Sequence, residues 1–408
     1  MQFTHRKLDN GLTIVAEVRP TAASMAAGFF VRSGSRDEPP ELAGVSHFLE
    51  HMTFKGTARR TALDVNREFD ELGANYNAFT SEENTVYYGA VLPEFQDRLM
   101  DLLCDILRPS LRQEDFDVEK GVILDEIARY EDMPRYRLYE LLMGEYFLPH
   151  SLGHSVLGTA ESVGAMRRDQ MQAYFSRRYS PGNVTLVGVG NVDFDALVGK
   201  AAEQCSGWQP CDVTRDTSPP PPAARRKVHT DPNVAREQIG LASPAPSSQG
   251  DERYAATLAA TVLGDVTGSR LFYALVDPAL ADEASVVYDA LDGSGVFLTF
   301  ISAGPEQASE ALRIARRELA GFLDDGPTDA ELLAAKNKIA SGATLKGEVP
   351  MGRLTAVGYD WVYRGEYVPL ADQIEALFAV TRQEVLEMAR RYDLSSATVV
   401  ALGPLEQL

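Results

Sequence analysis

Four consecutive prolines, Pro219–Pro222, lie near the middle of the 408-residue sequence. A run of prolines is extended and stiff because each ring fixes its own φ angle. A chain of this length is also longer than one ordinary domain of about 100–200 residues. The segment 214–228 is therefore predicted to link two domains, which comprise residues 1–213 and residues 229–408.

The two halves of the sequence share an order of elements. A strand-like run lies at 27–32 in the first half and at 237–242 in the second half. Each run is followed by turn-rich sequence and then by an apolar helix, predicted near residues 42–54 and 254–263. This order indicates a faint internal repeat.

The helix in the first half contains the motif His47-Phe48-Leu49-Glu50-His51. Residues four apart share one helix face, and Glu50 lies beside the two imidazoles. Neutral imidazole suits zinc, and a free carboxylate next to zinc can take a proton from water. The motif predicts a zinc site; the alternative is a pair of solvated histidines, or a core histidine with an exposed neighbour.

The surroundings of the motif favour a helix that packs on a sheet. Gly44 and Gly56 bracket the segment, and apolar residues recur between them at helical spacing. The histidines fall outside this apolar stripe and are expected to be off the buried face. The stripe consists of Leu42, Val45, Leu49 and Met52.

A catalytic zinc site needs a third protein ligand. The best candidates are Glu119 and Glu126, which share a face two turns apart in a predicted helix from about residue 112 to residue 132. Most acidic residues on helices are solvated, but these two lie in apolar sequence, where an unpaired charge is costly. The predicted apolar positions of this helix are Val118, Val122, Ile123 and Ile127.

The other histidines are weaker candidates. His150 and His154 are also four residues apart, but Pro149 and Gly153 indicate a loop, so no second metal site is expected. The remaining two histidines, His5 and His229, are isolated in the sequence.

The residues described above resemble the pitrilysin/insulinase group of inverzincin zinc peptidases. The resemblance rests on His47-Phe-Leu-Glu-His51 followed by Met-Thr-Phe-Lys-Gly-Thr, and on Val-Ile-Leu-Asp-Glu126-Ile downstream. Weaker matches are Leu-Gly-Thr-Ala-Glu at 157–161 and Gly-Ser-Arg-Leu-Phe at 268–272. The chain is most similar to catalytic subunits of the short-chain, mitochondrial-processing-peptidase-like branch.

The resemblance implies a fold and a metal site. The fold is α+β, with two similar domains that each have a mainly antiparallel β-sheet with helices packed on one face, and that together form half of a clamshell. His47, His51 and Glu126 would bind one zinc ion per chain. Glu50 would be the general base, and Glu119 would support the site without binding the metal.

The resemblance also implies where a peptide substrate binds. The alternating runs at 75–80 and 85–92 predict a β-hairpin. Asn77, Ala78 and Phe79 match the edge strand that pairs with substrate backbone in the family. An edge strand suits this role because its free N–H and C=O groups can accept an extended segment.

A second chain is implied because family members enclose substrate with four such domains. The far half contributes an arginine–tyrosine pair at the zinc. Here Tyr288 fits the pattern, but Val276 stands where the arginine is expected. We therefore expect a heterodimer with a homologous subunit that carries the pair; the alternative is that Arg270 or another nearby arginine substitutes.

The sequence thus predicts a zinc metalloendopeptidase, a hydrolase of peptides or unfolded segments. One alternative is a non-catalytic core or scaffold subunit that retains a zinc site. Another alternative is a peptide-binding module with structural zinc, although a structural site would use four ligands and no free base.

The composition limits the classes of partner that the chain is expected to bind. The formal net charge of −20 disfavours nucleic acid and anionic membranes, and it would attract basic peptides or simply maintain solubility. The three cysteines (Cys104, Cys205 and Cys211) are too few and scattered for a disulfide framework and indicate a reducing compartment. With no visible signal peptide and no apolar run long enough for a bilayer, the expected location is cytoplasmic.

Overall fold

The computed structural model describes residues 1–220 and 224–408. The strands are β1 (Gln2–Lys7), β2 (Thr13–Val18), β3 (Met25–Val31), β4 (Asn75–Thr80), β5 (Thr85–Val91), β6 (Val184–Gly190), β7 (Arg226–Thr230), β8 (Glu237–Pro244), β9 (Glu283–Leu291), β10 (Ser294–Ala303) and β11 (Thr398–Gly403). The first eight α-helices are α1 (Val45–Thr53), α2 (Ala62–Glu71), α3 (Gln96–Ile106), α4 (Gln113–Glu131), α5 (Pro134–Phe147), α6 (Ala160–Ala165), α7 (Arg168–Arg178) and α8 (Phe194–Cys205). The later α-helices are α9 (Arg253–Gly264), α10 (Pro305–Asp325), α11 (Asp329–Gly347), α12 (Pro350–Arg364), α13 (Leu370–Ala379) and α14 (Arg382–Arg391).

The described residues form two compact units, and neither unit is continuous in sequence. The first unit comprises Met1–Ala128, His154–Asp216 and Thr344–Val368. The second unit comprises Arg129–Gly153, Thr217–Ala343 and Pro369–Leu408.

The predicted continuous ranges 1–213 and 229–408 do not describe these units. The difference arises because α5, from the first half of the chain, packs on the sheet of the second unit, whereas α12, from the second half, packs on the sheet of the first unit. The predicted linker 214–228 includes residues 221–223, which lie outside the described residues, and its end overlaps β7.

The first unit is built on a mixed sheet with the strand order β1-β2-β6-β3-β5-β4. All neighbouring strands are antiparallel except β2 and β6. Helices α3 and α8 pack on one face, and α12 packs on the other. The order of strands leaves β4 at an edge, as the substrate-strand prediction requires.

The second unit has the strand order β7-β11-β8-β10-β9, in which only β7 and β11 form a parallel pair. Helices α9, α10 and α14 contribute to the core on one face. Helix α5 covers the other face, where Leu138 and Leu142 contact a cluster that includes Val400 and Leu402. The α+β class with mainly antiparallel sheets is thus confirmed, and the structure adds a helix to the second face of each sheet.

Several local predictions are confirmed. The hairpin comprises β4 and β5, the run at 237–242 lies in β8, the helix predicted near 254–263 is α9, and the helix after residue 112 is α4. Helix α5 ends at Phe147, so His150 lies in a loop as expected. In the described part of the chain, no helix has both the length and the hydropathy needed to span a membrane.

A buried ion pair fixes α12 to the sheet. Arg353 Nη2 lies 2.6 Å from Glu17 Oε2, on β2, and both side chains are almost completely buried. Tyr367 donates its hydroxyl hydrogen to the same oxygen at 2.9 Å. Two apolar residues of α12, Leu354 and Val357, pack against the same face of the sheet.

We expect Arg353→Met to destabilise the chain by about 3–5 kcal/mol, because it leaves the Glu17 carboxylate buried without its cation. Denaturant unfolding measures this change. Arg313→Met is the matched control, since Arg313 pairs with Glu310 on the exposed face of α10 and should hardly alter the unfolding midpoint. Equal midpoints for both variants would contradict the structural role of the buried pair.

Candidate metal centre

The N-cap of helix α1 has a backbone conformation that only glycine can adopt without strain. This residue, Gly44, has a φ of +89°, and a Cβ there would lie 2.5 Å from the carbonyl oxygen of Leu157. The Gly44 and Ser46 N–H groups both donate to the Glu38 carboxylate, each at 2.7 Å. An acidic side chain from just upstream of the helix therefore caps the helix that carries the histidines.

Glu38 was missed by the sequence analysis. The sequence does contain a signal for this role: Glu38 precedes Pro39-Pro40, and the helix that follows has a glycine N-cap, which has no side chain to cap it. Burial raises the pKa of Glu38 to about 7, an effect that the hydrogen bonds from Ser46 and Gly44 oppose.

The histidine motif is only partly off the buried face of α1. Leu49 and Met52 are buried as predicted, but His47 is buried as well, and within the motif only His51 and Glu50 are half-exposed. The expectation that both histidines avoid the buried face is therefore wrong for His47. The cause is α4, whose Glu126 carboxylate comes within 3.8 Å of His47 Nε2.

Three predicted ligands converge between α1 and α4. Glu126 Oε2 lies 3.8 Å from His47 Nε2 and 3.6 Å from His51 Nε2. All three potential ligand atoms lie within 4.8 Å of one another. Zinc bound at about 2.0–2.2 Å in a tetrahedral site separates such ligand atoms by about 3.4 Å, so small side-chain adjustments bring the group to ligand geometry.

The electrostatic environment also fits a metal ion. Burial, together with nearby His51, lowers the pKa of His47 to about 3. His47 is therefore neutral at neutral pH, which is the form that binds zinc. Its Nδ1 atom is buried and has no hydrogen-bond partner among the described residues.

Glu119 lies behind His51 rather than among the converging ligand atoms. Its Oε2 atom is 3.2 Å from His51 Nδ1, and its Oε1 atom is 2.6 Å from Lys55 Nζ. A carboxylate that accepts the Nδ1 proton leaves the Nε2 lone pair directed at Glu126. The geometry therefore agrees with a supporting role. Lys55 was not predicted, although it lies one helical turn after His51.

Helix α4 presents a different face to the core than its apolar residues indicate. Ile123 and Ile127 are buried as predicted, but Val118 is 66% exposed and Val122 is 44% exposed. Glu119 is only 3% exposed. The prediction for the two valines was wrong because the face of α4 that meets α1 carries the carboxylates.

Glu50 lies next to the ligand atoms but is not part of their group. Its Oε2 atom accepts a hydrogen bond of 2.5 Å from the Thr80 hydroxyl, at the end of β4. Burial raises the pKa of the Glu50 carboxyl, whereas the hydrogen bond from Thr80 and the charge of His51 lower it. The Glu50 carboxylate, carried by α1, is thus joined to the edge strand β4 by this hydrogen bond.

The predicted substrate-binding residues lie on that edge strand. In β4, Asn77 is exposed, Ala78 is buried and Phe79 is half-buried. Among the described strands β4 pairs only with β5, so its outer edge offers backbone groups to another strand. Phe79 packs against the cluster under α12, whereas Thr80 faces α1, as the alternation of side chains along a strand requires.

The possible substitute arginine is already engaged. Arg270 makes two hydrogen bonds to Glu331, at 2.8 and 2.9 Å, and a third to the Gly326 carbonyl. Val276 packs against the core of the second unit, and the Tyr288 hydroxyl donates to the Pro246 carbonyl at 2.8 Å. Arg270 is thus held in place within its own unit by an ion pair.

Comparison with solved structures supports the fold. The chain superposes with a TM-score of 0.92 on a Pseudomonas fluorescens structure described as a peptidase M16 inactive domain, at 18% identity, covering 100% of this chain and 99% of that chain. It superposes with a TM-score of 0.90 on a protease from Helicobacter pylori, at 21% identity and 99% coverage of both chains.

Comparison of sequences identifies the family. Residues 13–160 match the model of the insulinase family, peptidase family M16, and residues 165–339 match the model of the peptidase M16 inactive domain. An uncharacterized zinc protease of Streptomyces coelicolor is 33% identical, with 98% of this chain and 89% of the relative covered. An uncharacterized zinc protease of Bacillus subtilis is 30% identical, with 97% of both chains covered. The chain therefore belongs to the insulinase family of peptidases, family M16.

Proposed function

We propose that this chain is the catalytic subunit of a zinc-dependent endopeptidase. The observation that carries the proposal is that His47, His51 and Glu126 present three ligand atoms within 4.8 Å of one another, with Glu50 beside them as a carboxylate outside the ligand group. A structural zinc site would use a fourth protein ligand. The described residues offer a group of three, which leaves a coordination position for water or substrate.

A bound zinc ion supplies a Lewis acid that polarises the peptide carbonyl and makes water more acidic. Glu50 takes a proton from the attacking water and returns it to the leaving amine. Burial raises the pKa of its carboxyl, which strengthens it as a base. Glu119, 3.2 Å from His51 Nδ1, would hold the imidazole so that its Nε2 atom is left to bind the zinc ion.

The outer edge of β4 supports a peptide or an unfolded segment as the substrate. Such a segment would add a strand beside Asn77, Ala78 and Phe79, because main-chain hydrogen bonding along an edge strand does not depend on sequence. The net charge of −20 favours basic peptides. Enclosure of the segment would require a clamshell of which this chain forms half.

We further propose that the other half is a homologous subunit that carries the arginine–tyrosine pair. Val276 offers no positive charge, and Arg270 is held by Glu331. The side chain that stabilises developing negative charge at the carbonyl oxygen is therefore expected on a partner. A scaffold role is less well supported, because a scaffold has no need of a base beside three metal ligands.

We expect Glu50→Gln to retain zinc but to lose peptide cleavage by about 10²–10⁴-fold, since the amide cannot accept the proton. Cleavage is measured with a peptide library, and zinc content is measured by elemental analysis. Removal of zinc from the wild type with a chelator should abolish cleavage, and added zinc should restore it. Wild-type rates in the Glu50→Gln variant would refute the assignment of the base.

We expect Glu119→Gln to weaken zinc binding by about 10–100-fold, because the amide holds the His51 tautomer less firmly. Competition with a chromophoric chelator measures the affinity. The control is Glu114→Gln, an exposed change in the first turn of the same helix, which should bind zinc as the wild type does. Equal affinities for the two variants would remove Glu119 from the site.

We expect the chain purified alone to cleave peptides about 10²–10³-fold more slowly than the chain co-expressed with its homologous subunit, because that is the typical loss of kcat when an oxyanion donor is missing. Size-exclusion chromatography with light scattering identifies the assembly in each preparation. A stable homodimer with full activity would contradict the heterodimer.

A further inference from the structure

We propose that Thr80 is a positioning residue, which fixes the Glu50 carboxylate to the edge strand on which the substrate would lie. The inference rests on the proposed function, and it adds a residue that acts through the base rather than on the substrate. It follows from the hydrogen bond between Thr80 and Glu50, from the direction of the hydroxyl hydrogen and from the way the end of β4 is anchored.

Among the described residues, the Thr80 hydroxyl has two oxygen partners for its one hydrogen. Glu50 Oε2 lies at 2.5 Å, whereas Thr85 Oγ1 lies at 3.5 Å. Thr85 donates its own hydroxyl hydrogen to the Ser33 carbonyl at 2.8 Å. The shorter contact to a carboxylate is the stronger one, so the Thr80 hydrogen is directed to Glu50.

This contact selects one oxygen of the carboxylate. With Oε2 held by Thr80, Oε1 is left to accept the proton of the attacking water. A threonine is well suited to hold it, because a β-branched side chain on a strand has few χ1 rotamers. Without the contact, the two oxygens of Glu50 would be free to exchange by rotation of the side chain.

The backbone at Thr80 is itself fixed by the turn that follows, residues 81–84. The Ser81 N–H donates to the Asn84 carbonyl at 2.8 Å, and the Asn84 N–H donates to the Ser81 hydroxyl at 3.1 Å. Glu83 is buried, and its carboxylate contacts Arg36 at 2.5 Å and accepts from the Tyr363 hydroxyl at 2.9 Å. A buried ion pair thus anchors the end of the hairpin.

The arrangement connects the base to the substrate strand through one side chain. A peptide paired along the outer edge of β4 and the Glu50 carboxylate both take their position from the same strand. Thr80 therefore sets where the base stands relative to the scissile bond, and it does so without occupying the metal site.

The test compares Thr80→Val, Thr80→Ser and a control in the zinc-loaded chain co-expressed with its homologous subunit, on a fluorogenic peptide that the wild type cleaves. Valine keeps the shape but loses the hydroxyl, whereas serine keeps the hydroxyl. The control is Thr185→Val, a half-buried threonine of β6, which β3 and β5 separate from β4.

We expect Thr80→Val to lower kcat by about 10–100-fold with KM within about twofold of the wild type, because the loss falls on the transition state rather than on binding. Thr80→Ser should restore most of kcat, and Thr185→Val should match the wild type. In the Glu50→Gln background, Thr80→Val should cause no further loss, since the two residues act as a unit.

A crystal structure of each zinc-loaded variant provides a reading that does not depend on activity. The Glu50 carboxylate should be displaced or disordered in Thr80→Val and unchanged in Thr80→Ser. An unchanged carboxylate in Thr80→Val, or wild-type kcat in that variant, would overturn the positioning role. Failure of the proposed function would look different, because the wild type itself would then not cleave the peptide.

Discussion

The meeting of α1 and α4 is the contact on which the site depends. Two imidazoles on α1 face two carboxylates on α4 at N–O distances of 3.2–3.8 Å. Burying such groups is unfavourable unless each finds a partner. Here Glu119 has His51 and Lys55 within 3.2 Å, whereas Glu126 approaches both imidazoles at 3.6–3.8 Å. A metal ion between Glu126 and the histidines would add a favourable interaction at this contact.

The first unit holds this contact in place through charges that are buried elsewhere. Glu38 caps α1 from outside the helix, Glu83 anchors the turn of the hairpin, and Glu17 binds α12 to the sheet. Each of these carboxylates is nearly inaccessible to solvent. Buried polar groups make a fold rigid and favour a single arrangement of its elements when all their hydrogen bonds are satisfied. The candidate site is thus held in place by three buried carboxylates that are not part of it.

Much of the fold and of the site follows from local sequence pattern. The histidine helix, α4 and the hairpin each have a clear hydrophobic periodicity, so these elements could be predicted from the sequence. Glu126 was predicted as one of two candidates on one helix face, and the resemblance separated it from Glu119. By contrast, Val118 and Val122 are exposed, because which face of a helix is buried depends on its partner. Thr80 and Lys55 act through contacts between distant segments, and Glu38 caps α1 from outside the helix; no periodicity reveals such contacts.

The unit boundaries were unpredictable for a similar reason, and they carry a consequence for biosynthesis. The first sheet needs α12, so its second face remains uncovered until residue 364 has been translated. An early compact state of the N-terminal half would expose the cluster around Phe30 and Val187 to solvent. Domains usually fold as units in order of synthesis, but this topology delays completion of the first unit until α12, which follows most of the second unit, has been synthesised. A nascent chain of this protein would therefore expose an apolar sheet face until α12 is in place.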